Sequence, residues 1–171
     1  METEQKIGNG TKNSAGLKNE MQMSFDALSE NEAFARLTVS AFVMPLNPTV
    51  EEISDIKTAV SEAVTNAIIH GYDWDYMQDS CREEIGKVHL YCRIEENLLY
   101  IEVKDTGKGI ENIKQAMEPL FTTRPELERS GMGFAFMEAF MDRLEVVSEP
   151  GCGTVVIMEK RLQRAEEEKE L

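Results

Sequence analysis

Apolar and polar positions alternate along five short stretches of this sequence, as in strands that bury one face. In the first stretch, 21–25, two methionines and a phenylalanine are separated by polar residues. The next two, 88–94 and 99–103, flank a polar turn and predict a hairpin. The last two, 144–148 and 154–159, are joined by a turn that contains proline and two glycines.

Two helices are predicted between the first two strands. Ser29–Glu32 has the sequence of a capping box, and the helix after it is expected to run toward Met44 and to end at Pro45. Thr49–Glu52 is a second capping box, and the helix after it is expected to stop at Gly71. The apolar stripe of this second helix is Ile53, Ile56, Val60, Ala63, Val64, Ala67 and Ile68.

A short helix is predicted near 111–117, and another begins around Met132 and carries apolar residues that are expected to lie in the core: Phe134, Phe136, Met137, Phe140 and Met141. Strands gathered in one sheet, with helices on one face, predict an α+β two-layer sandwich. Residues 1–18 are expected to form a disordered leader, 19–160 the domain, and 161–171 a charged tail.

Composition excludes several classes of protein. The 171 residues carry a net charge of −14, which argues against nucleic-acid binding and permits a basic partner. No apolar run reaches the roughly 20 residues of a membrane span, and no signal peptide is visible, so a cytoplasmic protein without a membrane anchor is expected. Cys81, Cys92 and Cys152 lack metal-ligand spacing and are expected to be ordinary thiols.

The first motif is a polar face on the second predicted helix. Glu62, Asn66 and His70 are spaced by four, so they share one side of the helix. A solvated stripe is the common explanation of this spacing, but Ala63 and Ala67 crowd the same region. The Asn66 oxygen suits Mg²⁺ that is already balanced by phosphates, and Glu62 is placed to accept a proton from an attacking hydroxyl. His70 is expected to cap the helix end.

The second and third motifs are glycine-rich. Asp105, Gly107 and Gly109 follow a strand; they form either an ordinary turn or a site where the carboxylate accepts a hydrogen bond from the adenine amine. Gly131–Gly133 precedes a helix and is either a plain helix entry or an anion site built from backbone N–H groups. Hydroxyls and cations suited to a triphosphate cluster before it, at Thr122, Thr123, Arg124, Arg129 and Ser130.

Neither a Walker loop nor the glycine-rich loop of protein kinases is present, so ATP binding must use another architecture. Together with the segments 31–36, 61–71 and 119–133, the three motifs resemble the anti-sigma factor F family of spore-forming bacteria. These are serine kinases of the Bergerat-fold (GHKL) ATPase group, which also includes Hsp90, type II topoisomerases, MutL and histidine kinases. The resemblance extends over nearly all of 18–160 and implies a mixed sheet with helices on one face.

The resemblance also implies an activity. The family forms homodimers that hold sigma F inactive and, with ATP and Mg²⁺, phosphorylate a serine of an anti-anti-sigma factor. It implies that Glu62 is the general base, Asn66 the Mg²⁺ ligand and Arg36 a contact to partners. Arg129 would stabilise the γ-phosphate, Asp105 would bind adenine, and the remaining nucleotide contacts would be Gly107, Gly109, Thr123, Ser130, Gly131, Met132, Gly133 and Thr154.

Two features depart from the family. The loop 73–86 is longer than usual, and the family starts close to Leu17, so residues 1–16 are expected to be an addition, with a start at Leu17 as the hypothesis. Three other functions remain open: a general-stress anti-sigma serine kinase, a histidine-kinase catalytic domain, and a binding protein that has lost catalysis. The loop 119–130 is predicted to be a mobile lid over the triphosphate, with a rigid connection as the alternative.

Overall fold

One five-stranded sheet, in the order β1-β2-β3-β5-β4, carries the helices on one face. The computed structural model describes residues 17–72, 86–118 and 131–163. Its elements are β1 (Lys18–Asp26), α1 (Glu30–Val43), a 3₁₀ turn (Met44–Leu46), α2 (Val50–Asn66), a π-helical turn (Ala67–Gly71), β2 (Lys87–Glu95), β3 (Leu98–Asp105), α3 (Ile113–Ala116), α4 (Gly133–Phe140), β4 (Arg143–Glu149) and β5 (Gly153–Arg161).

The register of the sheet aligns the apolar positions into rows that face the helices. One such row runs across the sheet through Met23, Leu90, Val103, Val156 and Val146. Each aliphatic side chain that is fully buried in this way contributes about 1.5–3 kcal/mol to folding. The predicted strands and the α+β sandwich are confirmed. The four described strand pairs are all antiparallel, rather than the mixture of directions that the resemblance implied.

Helix α2 begins as predicted. Thr49 Oγ1 accepts the Glu52 N–H at 3.1 Å, and the Glu52 carboxylate accepts the Thr49 N–H at 2.8 Å, which completes the capping box. The other oxygen of the buried Glu52 carboxylate accepts the Gln163 N–H at 2.8 Å. One carboxylate therefore joins the start of α2 to the chain that follows β5.

A largely covered lysine on β5 makes a second connection to the helices. Lys160 Nζ lies 3.1 Å from Asp55 on α2 and donates to the Phe140 carbonyl, at the end of α4, at 2.6 Å. A cation near the C-terminus of a helix also complements its dipole. The interior strand β5 therefore fixes α2 and α4 relative to each other, and the residues that those helices carry are fixed with them.

The predicted capping box of α1 is wrong. Ser29 has helical backbone angles, φ −58° and ψ −31°, so its hydroxyl makes no capping bond. The Glu32 N–H instead donates to the Ser29 carbonyl, and the Glu32 carboxylate accepts both of its hydrogen bonds from Arg36 Nη1 at 3.0 Å. Asn31 anchors the helix start by donating to the Asp26 carbonyl.

The structure separates the apolar residues of α1 into two groups. The residues of this helix that pack into the core are Ala35, Val39 and Val43. Phe34 and Leu37 have 56% and 58% of their surface exposed. Spacing alone identifies an apolar face but not which face another element covers, and α1 has apolar residues on two faces.

The apolar residues of the last helix divide in the same way. Met137 and Met141 are buried and Phe134 packs against the core, as predicted. Phe136 and Phe140 lie outside the buried core and stack on each other, with ring centroids 5.9 Å apart and planes 6° apart. The prediction that the whole stripe is core therefore holds for the residues that face α2 and the sheet, and not for this pair.

Two expectations from the sequence concern the lack of a membrane-spanning helix and the state of the cysteines. In the described part of the chain, no helix has the length and apolarity that a membrane crossing requires. Cys92 and Cys152 are free thiols, and burial raises the pKa of Cys92 to about 12, which keeps it unreactive. Cys81 and the predicted leader and charged tail lie outside the described residues, except for residues 17–18 and 161–163.

The Glu52 connection predicts a dependence of stability on pH. Burial pushes the pKa of Glu52 upward, but the N–H groups of Gln163 and Thr49, the Thr49 hydroxyl and the Lys160 charge outweigh it, so the pKa lies below 4.5. This stabilisation is complete above the unfolded-state pKa and is lost as pH falls through the lower folded-state value. We expect Glu52→Gln to cost about 1–2 kcal/mol at neutral pH, and less with acidification.

Urea unfolding at several pH values between about 7 and about 3 measures this difference. Glu51→Gln is the matched control, because Glu51 is the exposed neighbour in the same helical turn. If Glu52→Gln lowers the free energy of unfolding by the same amount at every pH, the negative charge of Glu52 is not what stabilises the fold.

Candidate functional site

Residues from all three predicted motifs line one cavity of about 440 Å³. Its wall includes Asn66 from α2, Asp105 at the end of β3, Gly109 from the loop that follows, and Gly131 and Gly133 at the start of α4. His70 also lines the cavity, on the π-helical turn, rather than lying at a remote helix end. The sequence motifs are far apart along the chain, and the fold brings them to a single place.

The start of α4 lies directly against the polar face of α2. A β-carbon at Gly133 would lie 3.0 Å from Glu62 Oε2 and 3.4 Å from Asn66 Nδ2. Glycine therefore lets the α4 backbone approach both side chains closely. Since the first N–H groups of a helix lack partners within it, the start of this eight-residue helix is suited to an anion beside Glu62 and Asn66.

Asp105 is the buried acid of the cavity, with 3% of its surface exposed. Its carboxylate accepts the Gly107 N–H at 2.8 Å and also the N–H of Thr154. Burial raises the pKa of Asp105, while the two N–H groups act in the opposite direction. These two donors hold the carboxylate in place, and its remaining lone pairs are available to a hydrogen-bond donor in the cavity.

The loop that carries Asp105 is held against the end of α2. A β-carbon at Gly107 would lie 2.0 Å from the Gly71 carbonyl oxygen, so only glycine fits there. The Lys108 N–H donates to the same carbonyl at 2.9 Å. Gly71 ends the helix as predicted, but by this contact and a π-helical turn rather than by a left-handed cap. The π turn is a common feature of functional sites.

The far end of the same loop is fixed by two hydroxyls. Ser148 Oγ accepts the Ile110 N–H at 2.8 Å and donates to the Gly153 carbonyl at 2.8 Å. Because the proton of Ser148 is used there, Thr154 Oγ1, at 2.9 Å, is the donor between the two hydroxyls. Thr154, which the resemblance assigned to the nucleotide site, therefore supports this loop through both its backbone and its side chain.

The rest of the cavity wall is largely apolar next to Asp105. Ala63 and Ala67 come from α2, Val103 and Val156 from adjacent strands, and Phe134 from α4. Apolar walls with one fixed hydrogen-bond acceptor are suited to a planar base that carries an amino group. Where α4 meets α2, the cavity has backbone N–H groups, Asn66 and the nearby Glu62 carboxylate, which suits a phosphate chain.

The cavity wall does not include every residue implied by the resemblance. Gly107 contacts Gly71 behind the wall, Met132 is the residue before α4, and Glu62 lies against Gly133 without lining the cavity. Arg36, on α1, is not part of the wall. Thr123, Arg129 and Ser130, together with the predicted lid 119–130 and most of the loop 73–86, lie outside the described residues.

Sequence reasoning missed several residues of the wall. Lys108, Ile110 and Pro150 have no recognisable motif, and Asn112 and Gln115 were seen only as part of a short helix. The sequence could have indicated them only by their positions, since they follow the Asp105 motif or lie in the turn before β5. Tyr72 and Ser148 were missed for another reason: the loop residues whose N–H groups they accept, Thr106 and Ile110, lie 34 and 38 residues away in the chain.

The acidic residues do not form a metal site by themselves. Among the described residues, no group of three or more His, Cys, Asp or Glu side chains is arranged to hold a metal ion. Asn66 supplies a neutral oxygen beside the anion-binding start of α4. This donor fits a Mg²⁺ ion whose other ligands are phosphate oxygens and water, which is the usual state of Mg²⁺ bound with a nucleotide.

Residues 25–160 match the family of histidine kinase-like ATPase domains. An anti-sigma F factor from Clostridium acetobutylicum is 55% identical over 151 residues, which cover 88% of this chain and 99% of that protein. An anti-sigma F factor from Bacillus subtilis is 49% identical over 149 residues, which cover 87% of this chain and 97% of that protein.

A similar fold occurs in a solved structure. The crystal structure of the RsbU and RsbW domains of a Mycobacterium tuberculosis protein aligns with a TM-score of 0.58 and 19% identity. The aligned region covers 84% of this chain and 32% of that one. At this identity the likeness shows the fold alone, and it agrees with the sheet and helix layers described above.

The contact between Gly107 and Gly71 predicts a large effect for a small substitution. In Gly107→Ala, the added β-carbon cannot be accommodated unless the backbone of one segment moves, so Asp105 is displaced. We expect a loss of about 1–3 kcal/mol of stability, as for other overpacked sites, together with loss of nucleotide binding. Urea unfolding and calorimetric titration with ATP measure the two effects.

Gly151→Asn is the matched control, because Gly151 has φ +79° but nothing within 4 Å of its β-carbon position, and asparagine tolerates that backbone conformation. The control is expected to bind ATP like the parent. If Gly107→Ala binds ATP with the affinity of the parent, the close contact is not what positions Asp105.

Proposed function

Because this chain belongs to the anti-sigma F factor family and contains a histidine kinase-like ATPase domain, we propose that it is a protein serine kinase that also holds sigma F inactive. Its substrates are ATP, with Mg²⁺, and a serine hydroxyl of an anti-anti-sigma factor. The observation that carries the proposal is the convergence of Asn66, Asp105 and the start of α4 on one cavity, with Glu62 against Gly133 beside it.

Adenine occupies the apolar end of the cavity in this proposal. The Asp105 carboxylate, already held by two N–H donors, accepts the hydrogen bond of the adenine amino group. Guanine presents a carbonyl oxygen at the same ring position, and an oxygen facing a carboxylate leaves both acceptors without a donor. The cavity is therefore expected to prefer ATP to GTP.

The phosphates lie toward Gly131 and Gly133, where backbone N–H groups at the start of α4 donate to them. Asn66 would hold Mg²⁺, which when bound supplies positive charge to the phosphate oxygens. By resemblance, Thr123, Ser130 and Met132 would contact phosphates and Arg129 would stabilise the γ-phosphate. These four assignments and the lid 119–130 stay predictions from the sequence.

Glu62 acts as the general base. The serine oxygen attacks the γ-phosphorus as the bond to the β–γ bridging oxygen breaks, and the serine proton passes to the Glu62 carboxylate. The products are phosphoserine and ADP. The position of Glu62 supports this role, because its carboxylate lies one helical turn from Asn66 and against Gly133, at the phosphate end of the cavity.

Partner binding is proposed for the exposed side of α1. Phe34 and Leu37 on α1, and Met44 in the 3₁₀ turn that follows it, each expose more than half of their surface. Arg36 is paired with Glu32 within one helical turn, and both side chains are partly exposed, so a carboxylate of a partner has access to the guanidinium. Exposed apolar side chains and an arginine are among the residue types that contribute most to protein interfaces, and α1 carries both.

We propose that sigma F and the anti-anti-sigma factor both use this surface, and that the chain forms a homodimer as the resemblance implies. The relatives named anti-sigma F factor favour sigma F over a general-stress sigma factor as the partner. A histidine kinase would need a helical hairpin before the ATPase domain. The described residues before Val50 contain one strand, one α-helix and one 3₁₀ turn.

Replacing the base tests the catalytic assignment. Glu62→Gln keeps the size of the side chain but removes its ability to accept a proton, so phosphate transfer from ATP to the anti-anti-sigma serine is expected to fall about 10²–10⁴-fold. ATP affinity is expected to stay within about twofold of the parent. Single-turnover transfer assays and calorimetric titration separate the two quantities.

Glu138→Gln is the control, because Glu138 is an exposed carboxylate on the neighbouring helix α4. It is expected to transfer phosphate at the parent rate. A Glu62→Gln variant that transfers phosphate normally would place the base elsewhere, and one that loses ATP affinity would make Glu62 a binding residue.

Replacing the arginine tests the partner surface. Arg36→Ala is expected to weaken the complexes with sigma F and with the anti-anti-sigma factor by about tenfold or more, since a charge-assisted hydrogen bond is lost at the interface. ATP affinity is expected to be unchanged, because Arg36 is not part of the cavity wall. Biolayer interferometry with each purified partner measures the affinities.

Arg143→Ala is the matched control: this arginine is also ion-paired, with Glu145 and Glu159, but it lies on the edge strand β4. Equal affinities for Arg36→Ala and the parent would exclude Arg36 from both interfaces.

A further inference from the structure

The hydroxyl of Tyr72, just beyond the π-helical turn, makes three hydrogen bonds. It donates its single proton to the Lys87 carbonyl at 2.5 Å. It accepts the Thr106 N–H at 2.9 Å. Thr106 Oγ1 lies 3.2 Å away and must be the donor of that third bond, because the tyrosine proton is already used. All donor and acceptor positions of this hydroxyl are therefore occupied.

The tyrosine ring is held as firmly as its hydroxyl. It packs against the hydrophobic core and lies over Gly86, where a β-carbon would come within 2.4 Å of the ring atoms. Gly86 is itself fixed, since its carbonyl accepts the Ala27 N–H at 2.8 Å. The ring therefore has one available position, and the hydroxyl is a fixed point to which the loop after β3 is attached.

Tyr72 is hydrogen-bonded to Thr106, which belongs to the segment that holds the Asp105 carboxylate in place. Thr106 follows Asp105 and precedes Gly107, whose N–H binds the Asp105 carboxylate. The neighbouring residue Gly71 binds the same loop through the Lys108 N–H. Two consecutive residues, at the end of the π-helical turn and just after it, therefore hold alternate residues of the loop, and this turn directly follows Asn66.

We propose that Tyr72 is a positioning residue that sets the preference of the cavity for adenine. This inference rests on the proposed function, since it assumes that Asp105 binds the adenine amine. Without the hydroxyl, the Thr106 N–H and the Lys87 carbonyl lose a partner, and the backbone on either side of Thr106 gains freedom. The Asp105 carboxylate then no longer meets the base in one fixed direction, whereas the phosphate end is untouched.

Tyr72→Phe tests the proposal, because it keeps the ring on Gly86 and removes only the hydroxyl. Calorimetric titration with Mg²⁺ present is made with three probes: ATP, GTP and inorganic triphosphate. We expect the ATP affinity to fall about tenfold, as for the loss of one to two neutral hydrogen bonds. Affinities for GTP and triphosphate are expected to stay within about twofold, so the ATP-to-GTP preference falls about tenfold.

This readout separates positioning from a general loss of structure. A variant that is merely less stable has fewer competent molecules, which lowers its binding of all three probes together and leaves their ratio unchanged. Tyr91→Phe is the matched control, because its hydroxyl donates to Glu20 between β2 and β1, away from the cavity. It is expected to keep the parent ratio.

If Tyr72→Phe does not fold, Thr106→Val removes one of the three hydrogen bonds while keeping a branched side chain, and a drop of about threefold in the same ratio is expected. An unchanged ATP-to-GTP ratio in a folded variant overturns the role of Tyr72 while the proposed function stands. A parent protein with no preference for ATP over GTP overturns the proposed binding of adenine by Asp105, whatever the variants do.

Discussion

The close backbone contact between the end of α2 and the loop after β3 is the constraint on which the site depends. Gly107 touches the Gly71 carbonyl, and the Lys108 N–H donates to that same oxygen. Through this contact, Asn66 on the helix and Asp105 at the end of β3 come to lie on one cavity. A side chain at position 107 would separate the two ends of the proposed nucleotide site.

Electrostatics explains how an acidic chain can bind a triphosphate. The net charge is −14, yet the end of the cavity proposed for the phosphates has the neutral Asn66 and backbone N–H groups at Gly131 and Gly133. Backbone dipoles supply positive potential there, to which the Arg129 cation implied by the resemblance would add. The carboxylates that lie nearby have separate tasks in the proposed reaction: Asp105 at the base and Glu62 at the serine.

Sequence and structure agree where the chain fixes geometry locally. The spacing of Glu62 and Asn66 follows from the helical period, and the glycines after Asp105 indicate a close backbone approach. The sequence did not predict features that depend on contacts between distant segments. The local sequence does not show that the Phe34 side chain is exposed, or that the Ser29 hydroxyl makes no capping hydrogen bond. Tyr72 and Ser148 were missed because hydroxyls that hold a loop carry no spacing pattern relative to their partners.

The most direct test of the shared cavity is NMR chemical-shift mapping on the unmodified protein with Mg²⁺ and an unhydrolysable ATP analogue. The largest amide shifts are expected at Asp105–Gly109 and at Gly131–Gly133, together with the side-chain amide of Asn66. Omission of Mg²⁺ should remove the Asn66 shift while those of Asp105–Gly109 persist. Shifts confined to α1 or to the outer face of the sheet, with these residues unmoved, would contradict a nucleotide site built by the three motifs.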